Sequence, residues 1–354
     1  MKHTDNEMCA ILLSSYIGIG AESEVKPLSL GEWNKFINAL IAAGLEPKIA
    51  YDSDSADIIN MGYDQAFADR IHKLADRGAA VGFELQDYEK KGINVITEIN
   101  KDYPVMLRRT LKHKKPPVLF YCGDLSLAGK VGIGVVGSRN VSVDGFEFTK
   151  KLVTKAAAEN MIIYSGGAKG VDTTSESVAL GNGGAVVSYI ADSLSAKIKK
   201  PDIASNIASG RLLLLSDLKP DTPFSAGRAM NRNKYIYASA MGTVVVESDY
   251  NKGGTWSGAA EAMKNGWGNV FVYDSNVEGN RKLIEAGGIA IGLNENNGSL
   301  YDYMNQMIAK RDEGGNNESA EVSTDNAGSS EDNTGSPTEP SYEQMDLSMF
   351  MTSD

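Results

Sequence analysis

Residues 165 to 172, Ser165-Gly166-Gly167-Ala168-Lys169-Gly170-Val171-Asp172, set three glycines, a lysine and a carboxylate between an apolar run ending at Tyr164 and a helix-like segment opening near Asp172. A glycine-dense turn at a helix start can aim backbone N–H groups at an anion while the lysine adds charge, so the chemistry these residues fit is phosphate recognition. Upstream, Gly137-Ser138-Arg139-Asn140 repeats the arrangement after the β-branched run Val131–Val136 and before the helix-like stretch from Gly145 to Glu159. Two such turns put Arg139 and Lys169 at the carboxyl edge of one parallel sheet, where open α/β sheets take ligands. Asn231-Arg232-Asn233-Lys234, Lys252-Gly253-Gly254-Thr255 and Gly279-Asn280-Arg281-Lys282 extend the pattern. Any one turn also reads as local geometry, with glycine for the bend and asparagine or threonine as a cap. Their recurrence at corresponding points of one sheet favours a shared anion site. The candidate phosphate-binding residues are Gly137, Ser138, Arg139, Ser165, Gly166, Gly167, Lys169, Gly170, Asn231, Arg232, Gly253, Gly254 and Thr255, with Lys252 a weaker addition.

Other chemistries find less support. Gly132-Ile133-Gly134-Val135-Val136-Gly137 matches the G-x-G-x-x-G dinucleotide fingerprint, but that fingerprint needs its first glycine at the turn. Here Val135-Val136 reads as the end of the strand and Gly137 as the turn, which argues against a nicotinamide or flavin. The chain has no G-x-x-x-x-G-K-[S/T] run, which removes the P-loop reading. Three histidines (His3, His72, His113) and two cysteines (Cys9, Cys122) are too scattered for a metal centre, a catalytic triad or a disulfide framework. No cofactor, no metal and no catalytic residue is therefore expected. An alternative keeps one nucleotide in the same pocket, as in nucleotide-sensing domains and nucleoside-monophosphate phosphoribohydrolases of the lysine-decarboxylase-like type, with Glu247 and Glu261 as acid/base candidates. A third reading is an interaction scaffold without ligand.

The elements that must position these residues change character along the chain. Residues 1–115 read as a small, mainly helical domain: Trp33, Phe36, Ile37, Leu40 and Ile41 fall at helix spacing, and Gly44 stops the run. Gly18-Ile19-Gly20 fits either the hairpin of a helix-hairpin-helix or SAM-like unit or an ordinary loop. From Val131 onward, apolar runs alternate with helical segments. Strands are expected at 131–136, 161–164, 185–190, 212–215, 243–247, 270–273 and 289–291. Continuous apolar runs of this kind belong to strands buried on both faces, so residues 116–312 are expected to be α/β, an extended Rossmann-like, doubly wound and mostly parallel sheet, closed by a last helix at 301–311.

Residues 313–354 carry ten acids and no Lys or Arg, so most of the formal charge of −11 sits there and the preceding residues are nearly neutral. That stretch is too poor in apolar residues to offset the entropy of ordering, and a disordered acidic tail is expected. Tyr342 to Phe350 regains apolar residues and could serve as a docking segment, as a contact with the protein's own basic face, or only as part of a solubilising tail. No apolar run is long enough to span a membrane, and a cytoplasmic protein is expected.

Taken in order, Gly137-Ser138-Arg139, Ser165 through Asp172, Asn231-Arg232-Asn233 with Val244-Val245-Val246-Glu247, Lys252-Gly253-Gly254-Thr255 and Gly279-Asn280-Arg281-Lys282-Leu283-Ile284 resemble the DNA-processing protein A family. The lead-in Ile96-Thr97, Asp102-Tyr103-Pro104 and Pro117 to Asp124 extends the resemblance over residues 93–292. It implies binding of single-stranded DNA, a homodimer and assistance to a RecA-type recombinase during DNA uptake and recombination. By position it assigns Arg139, Lys169, Asn231 and Arg232 to a basic pocket. The chain departs from the family's pattern at Ala191 to Ile198 and at Asp274-Ser275, and its acidic tail stands where many members carry a winged helix.

Overall fold

The computed structural model describes residues 3–20, 22–52, 55–294 and 298–321. Six helices come first: α1 (Asp5–Ser14), α2 (Leu30–Ala42), α3 (Ile49–Asp52), α4 (Ser55–Asn60), α5 (Gln65–Ala75) and α6 (Gly78–Lys90). Thr4 and Ser29 begin α1 and α2 with reciprocal capping boxes to Glu7 and Glu32, satisfying amides that a helix start leaves open. The apolar faces of α1, α2 and α5 meet in a core of their own around Trp33, Phe36, Leu40, Ile71 and Leu74. The hairpin reading of Gly18 finds its amide already engaged, since Gly18 N–H donates to Glu84 Oε2 at 2.6 Å.

There follow β1 (Asn94–Thr97), α7 (Val105–Leu111), β2 (Val118–Cys122), β3 (Gly132–Val136), α8 (Val143–Ala158), β4 (Ile162–Ser165), α9 (Val171–Gly181), β5 (Val186–Tyr189), α10 (Leu194–Lys197), α11 (Pro201–Ala208) and β6 (Leu212–Ser216). The chain continues through α12 (Ala226–Ser239), β7 (Gly242–Val245), α13 (Gly253–Asn265), β8 (Asn269–Tyr273), α14 (Glu278–Glu285), β9 (Ile289–Ile291) and α15 (Leu300–Glu321). The strands form one sheet in the order β1-β2-β6-β5-β4-β3-β7-β8-β9. Strands β3 to β9 run parallel, while β1 and β2 are antiparallel additions at the β6 side. The fold is thus the expected extended Rossmann-like α/β sheet.

Alternate residues of each strand feed two apolar layers. Ile133, Val135, Ile163, Val186 and Leu214 pack on one face with Leu152 of α8 and Ala179 of α9. Ile162, Tyr164, Val187, Leu213 and Val245 pack on the other with Tyr235 and Ile236 of α12 and Ala259 of α13. Helices on both faces are why these strands read as unbroken apolar runs. Gly132 and Gly134 lie inside β3, where a Cβ would strike the Ile162 carbonyl and the Thr243 side chain respectively. They serve close strand and side-chain packing, and no phosphate turn begins at them.

Two expectations change. Strand β1 falls inside residues 1–115 and pairs with β2, neither strand having been anticipated, so we propose ending the helical unit before Asn94. Helix α15 continues to Glu321, past the expected tail start at 313, because extending an existing helix is far easier than starting one. The segment 342–350 lies outside the described residues.

Candidate nucleic-acid interface

The strand order reverses at β3: β4, β5 and β6 lie to one side, β7, β8 and β9 to the other. At such a switch point the loops leaving the carboxyl ends of adjacent strands diverge and open a crevice. A cleft of about 420 Å³ occupies it. Its walls come from the turn after β3, the turn after β4, the first half of α12 and the start of α13.

Most of the anticipated residues meet there. Gly137, Ser138, Arg139, Gly166, Gly167, Arg232, Lys252, Gly253, Gly254 and Thr255 all line the cleft. Local bonds fix their frame. Thr255 Oγ1 donates to the Gly137 carbonyl at 3.0 Å, tying the start of α13 to the end of β3. Asn233 Nδ2 donates to the Gly254 carbonyl at 3.1 Å, tying α12 to α13. Gly170 and Lys252 stand at the N-caps of α9 and α13 without a side-chain cap, so local side chains do not claim the first amides of either helix.

Four anticipated residues stand elsewhere. Ser165 is buried behind the cleft, its hydroxyl donating to the Val135 carbonyl at 3.2 Å. Lys169 is exposed beside the turn and outside the lining. Asn231 is exposed on α12 and accepts from Lys234 Nζ at 3.0 Å. It is one residue from Arg232, and neighbours on a helix do not share a face. Gly170 sits under the Ser138 carbonyl, where it holds the two turns together rather than facing the cleft.

The glycine turn also differs from a bare anion cradle. Its Ala168 N–H points at Asp172 Oδ2, 3.4 Å away, and its Gly167 N–H bonds the Glu176 carboxylate, which also accepts from Ser188 Oγ at 2.6 Å. Anion-binding capacity therefore rests mainly on side chains. Arg232 is 4% exposed and donates to the Tyr189 carbonyl, with Asp172, Glu176 and Asp192 acting on its charge. Burial pulls its pKa down and those carboxylates oppose the fall. Burial pushes Asp172 up to about 7, with Arg232 opposing. Arg232 Nε finds no partner among the described residues, so this buried cation keeps one donor in reserve at the cleft floor.

Sequence reasoning did not place Lys197, Phe224, Asn140 or Asn233 in the site, yet all line it. Lys197 arrives on the four-residue α10, with its Nζ 3.4 Å from Asp192 Oδ1. Phe224 arrives on the loop before α12; it is 55% exposed, and the Arg139 guanidinium lies 5.8 Å from its ring centroid. An exposed aromatic beside a cation is the pairing that holds a stacked base and its phosphate. The Glu247 carboxylate does not line the cleft. It accepts from Ser142 N–H at 2.9 Å and from the Ser142 hydroxyl, supporting the residue that caps α8. Glu261 is exposed on α13, also outside the lining. Among the described residues no helix is long and apolar enough to cross a membrane.

The family model described as DNA recombination-mediator protein A matches residues 94–301. DNA processing protein DprA of Bacillus subtilis (strain 168) is 30% identical over 215 residues, covering 58% of this chain and 71% of that protein. DNA processing protein DprA of Streptococcus pneumoniae (strain ATCC BAA-255 / R6) is 28% identical over 202 residues, 56% of this chain and 68% of that protein. The X-ray structure of DprA from Streptococcus pneumoniae aligns with a TM-score of 0.63 at 24% identity, covering 82% of this chain and 95% of that one, a likeness of fold.

Proposed function

Because the chain belongs to the DNA recombination-mediator protein A family, we propose that it binds single-stranded DNA at the carboxyl edge of its sheet and acts without catalysing a bond change. The observation that carries this reading is the cleft at the strand switch point, which sets Arg139, Lys197 and Lys252 around an exposed Phe224. Arginine offers a planar fork to phosphate oxygens and lysine a mobile point charge, while a base can stack on the ring. Such contacts carry little sequence information, so binding is expected to tolerate any base. Lys169 adds charge at the rim.

The finer role is recombination mediation, in which a homodimer hands bound single strands to a RecA-type recombinase; family membership supports it, and light scattering with a loading assay tests it. The hydrolase alternative loses support from Glu247, whose carboxylate is occupied by Ser142. Fluorescence anisotropy with labelled single strands, duplex and mononucleotides in parallel tests the main reading. Arg139→Gln with Lys252→Gln should flatten the log K against log salt slope by about 1.4, at ~0.7 per phosphate contact on single strands. An unchanged slope in the folded variant removes both residues from the site.

A further inference from the structure

The edge of the sheet opposite the cleft carries a second cavity, of about 530 Å³, walled by α7, the turn that follows it and the Asn265–Asn269 turn between α13 and β8. Its lining includes Arg109, Lys112, His113 and Lys114, with no Asp or Glu among the described residues that line it. They belong to the run Arg108-Arg109-Thr110-Leu111-Lys112-His113-Lys114-Lys115, which holds five Lys or Arg and no acid. Two of the five turn inward: Lys115 pairs with buried Glu98 at 2.6 Å, and Arg108 Nη2 donates to the Asn100 carbonyl at 2.7 Å. Arg109 and Lys112 are exposed. Lys112 also holds φ at 51°, a conformation that costs a non-glycine residue on the order of 1 kcal/mol or more. Lys114 Nζ is held at 2.7 Å by Asn265 Oδ1 and lies 5.3 Å from the centre of the Trp267 ring.

Helix α12 joins this groove to the cleft. Ala229, Arg232 and Asn233 of its first half line the cleft, and Ala240, at its far end, lines the groove. Between the two lies half-buried Lys234, whose charge feels Asp217, Glu261 and Lys114, while exposed Arg228 stands at the cleft end of the helix. A helix of 14 residues spans roughly 21 Å at 1.5 Å per residue, which a stacked strand with a phosphate every ~3.4 Å crosses in about six nucleotides.

We propose that the groove is a second contact for single-stranded DNA, taking the phosphodiester backbone of the same strand that occupies the cleft after it has run along α12. The inference rests on the single-strand reading of the cleft and adds a direction and a length to it. Arg109, Lys112 and Lys114 hold successive phosphates as point charges without reading bases.

The test compares binding of oligothymidylates of about 4 and about 16 nucleotides, the span of common single-strand site sizes. It uses the full chain, Arg139→Gln, the groove variant Arg109→Gln/Lys112→Gln/Lys114→Gln, and the milder Arg109→Gln/Lys112→Gln, which alters exposed side chains only. The groove variant should bind the short oligomer as the parent does. For the long one it should lose about 2.1 from the salt slope, so that its deficit changes roughly 20-fold between about 50 and 200 mM salt. The milder variant should lose about two thirds of that slope. A long-oligomer slope equal to the parent's in both folded groove variants overturns the second contact. Unchanged short-oligomer binding by Arg139→Gln instead overturns the cleft reading, whatever the groove variants do.

Discussion

Gly166→Ala is the sharpest probe of the cleft floor. A Cβ at Gly166 would fall inside the guanidinium of Arg232, and that guanidinium cannot swing into solvent because it is 4% exposed and bonded to the Tyr189 carbonyl. Relief requires moving either the β4 turn or the arginine. Moving the arginine breaks a charged hydrogen bond worth about 1.5–3 kcal/mol and withdraws the cation that offsets the buried Asp172 charge. Uncoupling a buried charge from its partners costs about 3–5 kcal/mol, so a loss in that range is expected. With a urea m-value near ~3 kcal/mol/M, the midpoint should fall by about 1–1.7 M. Gly227→Ala is the matched control: it lies in the first turn of α12 with no atom within 4 Å of an added Cβ, and should be neutral or up to ~1 kcal/mol more stable. Urea titrations followed by far-UV circular dichroism report both. A Gly166→Ala midpoint within about 0.3 M of the parent's would mean that Arg232 is not locked by its surroundings, and the account of the cleft floor would fail.

Three further outcomes are expected. Phe224→Ala should weaken binding of a long single strand by about 1–3 kcal/mol while leaving the salt slope unchanged, and a changed slope would mean that the ring acts through Arg139 rather than on a base. Folding raises the Asp172 pKa to about 7, so between about pH 4 and 7 the native state holds a proton that the unfolded chain has released. Stability should fall as pH rises through that window, by at most ~1.4 kcal/mol per unit, and Asp172→Asn should flatten the fall; denaturation midpoints at several pH values decide, an unflattened profile ruling out this residue as the source. Truncation after Glu321 removes seven carboxylates and no cation, and should tighten single-strand binding most at low salt if the acidic segment competes for the basic surfaces. Equal anisotropy curves for both chains at low ionic strength would leave that segment to partner docking or solubility.

The parallel strands were legible because burial on both faces leaves an unbroken apolar signature, as in Val131 to Val136 and Leu212 to Leu215. Strand β1 was not, since four residues, Asn94-Val95-Ile96-Thr97, are too few to show a period, and β2 follows Pro116-Pro117 as one short run whose partner β6 is remote in sequence. In the cleft, glycines and Arg139 stood out by type and position. Lys197 and Phe224 carried no such mark: one rides a four-residue helix and the other a loop, and only the tertiary fold brings them together. Lys169 and Asn231 were assigned by motif, and motif spacing says nothing of which way a side chain leaves the backbone.

The position of β2 next to β6 constrains how the chain can fold while it is being made. Strands β4, β5 and β6 each pair with the one emerging just before, so that part of the sheet can grow in step with synthesis. Strand β2 can close its hairpin-like pairing with β1 at once, but its other edge waits for Leu214, Leu215 and Ser216. At roughly 5–20 residues per second, that edge stays open for about 5–20 s after Cys122 is made. During that interval Phe120, Tyr121 and Cys122 lack their neighbouring strand, which makes the nascent chain, rather than the finished protein, the stage most exposed to mispairing.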